Sequence, residues 1–208
     1  MQNAATMMNT EKNRAAYGVA KLIRILTIPP VMVAAMLTVV YFFADVFPTV
    51  GDYWLTLLFL AVVPVLAYPV QKLNPRLNEG GRRAQRKLAF VFSFLGYSGA
   101  VLSSILRDAV PNLLYITVVY LVSVVILTLI NCLTPWHASG HGCSLMGPLL
   151  LISLFVGWYA VPAGLLLYAA SLWASLYMKR HTVQEFFLGS LSSCLAALIA
   201  YFVVHPVF

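Results

Sequence analysis

Two short polar segments carry the residue types that chemistry needs. One runs Trp136-His137-Ala138-Ser139-Gly140-His141-Gly142; the other runs Lys179-Arg180-His181-Thr182-Val183-Gln184-Glu185, with Gly189 four residues further on. His181 and Glu185 have the spacing that puts two side chains on one helix face. A carboxylate bonded to one imidazole nitrogen orients the ring and leaves the other nitrogen able to attack. Ser139-Gly140-His141 has the form of a turn entering a helix, whose outward backbone N–H groups suit an anion. A metal site fits some of the same residues, because His137, His141, His181 and Glu185 form a ligand set that suits zinc. Ser139-Gly140 weighs against it, since a turn there separates His137 from His141. His137 and His205 are expected to be hydrogen-bonded structural groups.

The elements that must position these residues are apolar helices. Hydrophobic residues make up 62% of the 208-residue chain and charged residues 9%, against roughly a quarter charged in a soluble domain. The excess apolar surface must face something other than water. Seven apolar runs follow one another: 28–47, opening at Pro29-Pro30, then 53–70, 88–106, 113–133, 145–159, 163–178 and 183–204. Each is apolar on all sides, as helices exposed to lipid or buried in a bundle are. The expected fold is all-α: one integral membrane domain over 1–208, a polytopic bundle of six to seven spans. A polar, basic tail (1–24) precedes the runs, a basic loop (71–87) interrupts them, and 134–144 and 179–185 are the candidate site segments. The tail has no apolar run or small-residue cleavage site, so a cleaved secretory signal is not expected.

Cys132, Cys143 and Cys194 are an odd number at unrelated spacings, neither a disulfide framework nor a zinc knuckle. The formal charge is +7. In a soluble protein this would suggest nucleic acid, but here the cations lie beside apolar runs, where anionic lipid headgroups and cytoplasmic anchoring account for them. If all seven runs cross, the tail and the connections 71–87, 134–144 and 179–182 share one face. That face then holds every Lys and Arg except Arg107, which places the N-terminus and the candidate site on the cytoplasmic side of a cell membrane. The interfacial aromatics Tyr53, Trp54, Trp136, Trp158 and Tyr159 sit at run ends. Gly96, Gly99, Gly147 and Gly157 are expected to permit close helix packing.

From about residue 70 onward, Ser139-Gly140-His141 followed by His181 with an acid at +4 and a glycine at +8 resembles the type 2 phosphatidic acid phosphatase superfamily. Its motifs are Lys-x6-Arg-Pro, Pro-Ser-Gly-His and Ser-Arg-x5-His-x3-Asp, and the likeness is to a bacterial branch whose third motif reads His-Thr. The resemblance implies the superfamily's core helix bundle and a phosphatase that works through a phosphohistidine, with neither metal nor organic cofactor. His181 matches the nucleophile, Glu185 the acid that orients it and His141 the general acid for the leaving alcohol. Ser139 and Gly140 match the phosphate-holding positions. Arg76 and Arg83 have the first motif's spacing, with Ala84 where the motif has Pro. Ala138 replaces the second motif's Pro, Glu185 replaces Asp, and Ser175 stands where the third motif has Arg. A phosphate site without that Arg holds the transferring group less well, and Arg180 is the nearby cation that would replace it.

The implied substrate is a lipid phosphate: phosphatidic acid, phosphatidylglycerol phosphate or a polyprenyl diphosphate. The same intermediate would serve a phosphotransferase with an alcohol in place of water. The alternative is a catalytically degenerate membrane protein of the same fold that binds lipid phosphate without turning it over.

Overall fold

The computed structural model describes the backbone of residues 2–205 and the side chains of 14–81 and 84–205. The described chain is helical, without a strand. We number its helices α1 (Gln2–Leu26), α2 (Pro29–Phe43), α3 (Val50–Leu73), α4 (Pro75–Glu79), α5 (Gly81–Leu106), α6 (Pro111–Leu133), α7 (Gly140–Phe155), α8 (Val161–Tyr177) and α9 (Val183–Val204). Prolines open α2, α4, α6 and α8 at their first or second positions, where the missing N–H costs nothing and the fixed φ suits a helix. A π-helical turn, Leu58–Val62, lies inside α3 just before Pro64.

Among the described residues, five helical stretches are long and apolar enough to cross a membrane: Val50–Leu73, Ala84–Leu106, Pro111–Leu133, Trp158–Tyr177 and Val183–Val204. Arg14–Leu26 and Pro29–Phe43 would make a sixth as one span bent by 57°. The fifth apolar run folds as α7, which has 16 residues. At 1.5 Å per residue α7 reaches about 24 Å, short of the ~30 Å hydrocarbon layer. Each apolar run thus became helix, while fewer than seven helices have the length of a full crossing.

Side-chain placement agrees with a lipid solvent. Leu106, Leu133, Leu166 and Val203 point outward, while Val33, Met36, Leu37, Leu60, Ile116, Val119 and Leu151 fill the core. α6 is central: more than half of its apolar window is buried, against a third or less in the other spans. α9 packs on both α7 and α6, α5 on α6, α2 on α7, and α1 along α8. Between apolar helices in lipid, close packing and interhelical hydrogen bonds supply the association.

The polar, basic tail is helical over residues 2–26, and α1 is seated on α8 with Ala20 fully buried. Two expectations are corrected. The segment 71–87 is almost entirely helical, with Arg86 and Lys87 inside the first turns of α5. Gly157 has φ of 132°; it turns the chain between α7 and α8, where an L side chain would be strained.

Candidate active site

Two glycines decide how α7 meets α9. A Cβ on Gly142 would overlap the carbonyl of Phe186, and one on Gly189 would overlap the carbonyl of Ser139. Backbone therefore lies against backbone, and polar groups lock the contact. The Ser139 N–H donates to the Glu185 carbonyl at 2.8 Å. The Ser193 hydroxyl donates to the Cys143 carbonyl at 2.8 Å, and Ser190 donates to the Gly142 carbonyl at 3.3 Å while meeting Tyr168 Oη at 2.6 Å. Gly189→Ala is expected to destabilise the protein by about 1–3 kcal/mol, the usual cost of overpacking. It should also part the two histidine segments, so the thermal unfolding midpoint in detergent should fall. Ser192→Ala, on the same helix, should not lower it substantially.

At this junction Ser139 is the N-cap of α7, its hydroxyl accepting from the Gly142 N–H at 3.4 Å. The cap leaves the N–H groups of Gly140 and His141 at the helix start for a ligand. Ser139 itself is fully buried and does not line the open space beside it, so its hydroxyl works as a cap.

His181 precedes α9. The helix begins at Val183 with Thr182 as N-cap and Glu185 completing a capping box: Thr182 Oγ1 accepts from the Glu185 N–H, and Glu185 Oε2 accepts from the Thr182 N–H, both at 3.2 Å. The same Oε2 lies 3.1 Å from His181 Nδ1. The expected pair therefore forms, by a different route: the carboxylate reaches back past the cap instead of sharing a helix face with the imidazole. The His181 and Glu185 side chains are 11% and 27% exposed. Burial holds His181 below its ordinary value of 6.5; Glu185 pulls it upward, and Arg24 and Arg86 push it down. His181 is thus set to be neutral near pH 7, with Nδ1–H donated to Glu185 and Nε2 left for the open space.

The ring of His141 is 6.4 Å from that of His181, centroid to centroid. Its Nε2 is closed off from solvent and has no hydrogen-bond partner among the described residues. Both rings border a cleft of about 780 Å³ at one end of the bundle. Arg24, Arg86, Lys87, Lys179 and Arg180 line it alongside His137, Gly140, His141 and His181, with no carboxylate in the lining among the described residues. Further along the helices Val33, Phe90, Val119, Val124 and Leu127 line it, interspersed with Ser93, Tyr97, Tyr120 and Ser123. Tyr68, Gln85, Asn131 and Ala138 also border it, so the connections 71–87, 134–144 and 179–182 do meet at this end. Among the described residues, no three His, Cys, Asp or Glu side chains gather as a metal ion would require.

The phosphate-binding candidates separate. Gly140 and Arg180 line the cleft, whereas Arg76 is exposed on α4 and does not. The side chain of Arg83 lies outside the described residues. The cation that sequence reasoning missed is Arg24. Its Nη1 is 3.2 Å from Ser175 Oγ, across 151 positions of chain. The signal available beforehand was a basic residue in the last turn before the Pro29-Pro30 break, where a helix end favours positive charge.

Fold and site together define a helical membrane protein with three histidines, His137, His141 and His181, in a cationic cleft at one end of its bundle. Compared with protein-family models, curated proteins and solved structures, the chain matches none.

Proposed function

We propose that this protein is a lipid phosphatase of the type 2 phosphatidic acid phosphatase kind, working through a phosphohistidine at His181. The observation that carries the reading is the His181–Glu185 pair at 3.1 Å facing the ring of His141 across a cationic cleft. In the first half-reaction the Nε2 lone pair of His181 attacks phosphorus, and the bond from phosphorus to the ester oxygen breaks. Burial and Arg24 hold His141 down at about 4, so its Nε2 is charged by the proton that the phosphate monoanion brings in; the departing oxygen takes that proton, while Glu185 holds the Nδ1–H and stabilises the positive ring. In the second half-reaction His141 takes a proton from water, the water oxygen attacks phosphorus, and the P–N electron pair returns to His181. The N–H groups at the start of α7 and the surrounding cations face the charge that builds on the three equatorial oxygens. The largely apolar lining of the cleft along the helices suits the lipid chain and its cationic mouth the head. Phosphatidic acid, phosphatidylglycerol phosphate and a polyprenyl diphosphate all satisfy that division.

Of the cations expected on the cytoplasmic side, Arg24, Arg86, Lys87, Lys179 and Arg180 are accounted for by the cleft. The exposed Arg14, Lys21, Lys72 and Arg76 outside it carry the argument for a cytoplasmic N-terminus and site.

The purified protein in detergent should release phosphate from lipid phosphates with EDTA present. Its kcat/KM should have an acid limb below pH 6.5, because only neutral His181 attacks and its folded pKa lies under that value. Glu185→Gln keeps an acceptor for the capping box but removes the charge that draws a proton to His181. The limb should therefore move to still lower pH while the plateau rate falls about 10- to 100-fold. The paired profiles cancel the ionisation of the substrate itself. A limb that does not move would remove Glu185 from the mechanism.

A further inference from the structure

We propose that Arg24, on the N-terminal helix, is the guanidinium that grips the transferring phosphate, and that Ser175 is its seat. The inference rests on the phosphatase reading of the cleft and names a residue that neither histidine segment contains. Arg24 closes α1 in its last turn and lines the cleft with His141 and His181. Its charge acts on both imidazoles, and its backbone carbonyl accepts a hydrogen bond from the His141 ring. Two atoms of Ser175 organise the arrangement. The hydroxyl meets Arg24 Nη1 at 3.2 Å. The carbonyl accepts from the Arg180 N–H at 2.9 Å, and together with the Lys179 N–H to the Leu176 carbonyl this forms the turn that delivers His181. Lys179 takes a φ of 49° to complete it.

One fully buried serine therefore ties the nucleophile's turn to a cation from the other end of the chain. A second tie, Thr27 Oγ1 to Ser171 Oγ at 3.2 Å, fixes the end of α1 one turn along α8. A phosphoryl group between two imidazoles carries charge on three oxygens, and a planar guanidinium can bridge two of them. The small side chain at 175 leaves the room that Arg24 occupies, so serine at this position goes with a displaced arginine.

The test compares Arg24→Gln, Arg24→Lys, Arg14→Gln and the exchange Arg24→Ser with Ser175→Arg, all in the full-length protein in detergent. Three quantities are read: kcat/KM on a lipid phosphate, affinity for inorganic phosphate by calorimetry, and the thermal unfolding midpoint. Glutamine at 24 keeps a hydrogen-bonding group against Ser175. It should lower both kcat/KM and phosphate affinity by about 30-fold or more, with the midpoint unchanged. Lysine should lie between, since a point charge cannot bridge two oxygens. Arg14→Gln removes the same charge from an exposed position on the same helix and should change nothing. The exchange returns a guanidinium to the same space from α8 and should restore kcat/KM to within about tenfold of wild type. Turnover and phosphate affinity that survive Arg24→Gln within about threefold would overturn the assignment and leave the phosphatase reading standing. A fall in the midpoint that parallels the fall in activity would also overturn it, making Arg24 a structural contact. Arg24-dependent phosphate binding without release from any lipid would keep the assignment and sink the hydrolase reading. Wild-type protein that neither binds phosphate nor releases it would overturn both.

Discussion

Replacing His181 with Asn should lower kcat/KM on a lipid phosphate by at least about four orders of magnitude, about 5 kcal/mol of transition-state stabilisation. Asparagine keeps a polar side chain of similar reach beside Glu185 and lies outside α9, so the cap formed by Thr182 and Glu185 persists. The unfolding midpoint and the affinity for inorganic phosphate should therefore change little. The contrast matters because the rival description, a degenerate protein that only binds lipid phosphate, gives His181 no bond to make. Under that description His181→Asn changes neither binding nor any residual release. A partial loss, about tenfold, would also argue against covalent catalysis, because removing a nucleophile leaves only what orientation and charge supply. The assay is phosphate release under initial-rate conditions, with EDTA present to exclude contaminating metallophosphatases.

His141→Asn should show the second largest effect, and its size should depend on the substrate. With a lipid phosphate, whose leaving alcohol needs a proton, kcat/KM should fall about 100- to 10,000-fold. With an aryl phosphate such as p-nitrophenyl phosphate, whose leaving group departs unprotonated, formation of the phosphoenzyme should fall less than about tenfold. Hydrolysis of the phosphoenzyme still needs His141 as base, so this variant should release one equivalent of nitrophenol in a burst and then stall. The buried Nε2 of His141, unpartnered among the described residues, and its 6.4 Å separation from His181 motivate this division of roles. Equal losses on both substrates would show that His141 acts through packing or charge instead of proton transfer.

What the sequence made legible was whatever strong local pattern dictates. Runs apolar on all sides had to be helices, and α9 begins at Val183 as its run does because Thr182 and Glu185 spell a cap. The Ser-Gly-His segment became an N-cap because serine accepts from the backbone two and three residues on. Elsewhere the pattern was silent. The first half of α1 is mostly polar, so hydropathy passes over it, and its helicity goes with the face that α1 lays on α8. The segment 71–87 has the charge density of a loop, yet its Arg, Lys, Gln and Leu are good helix formers. The contact between Arg24 and Ser175 depends on tertiary packing between α1 and α8, which no local window contains. The guanidinium beside Ser175 comes from the far end of the chain, 151 positions away.

The most direct measurement is to ask where the phosphoryl group goes. His141→Asn protein would be mixed with a ³²P-labelled aryl phosphate in EDTA, quenched in alkali and digested for mapping. Label should appear, near one equivalent per chain, in a single acid-labile, alkali-stable phosphohistidine at His181. It should sit on Nε2, because Nδ1 is held by Glu185. The double variant His141→Asn with His181→Asn should carry none. Turnover by the wild-type protein with no label on any histidine, or label on a residue other than His181, would contradict a phosphohistidine mechanism at this site.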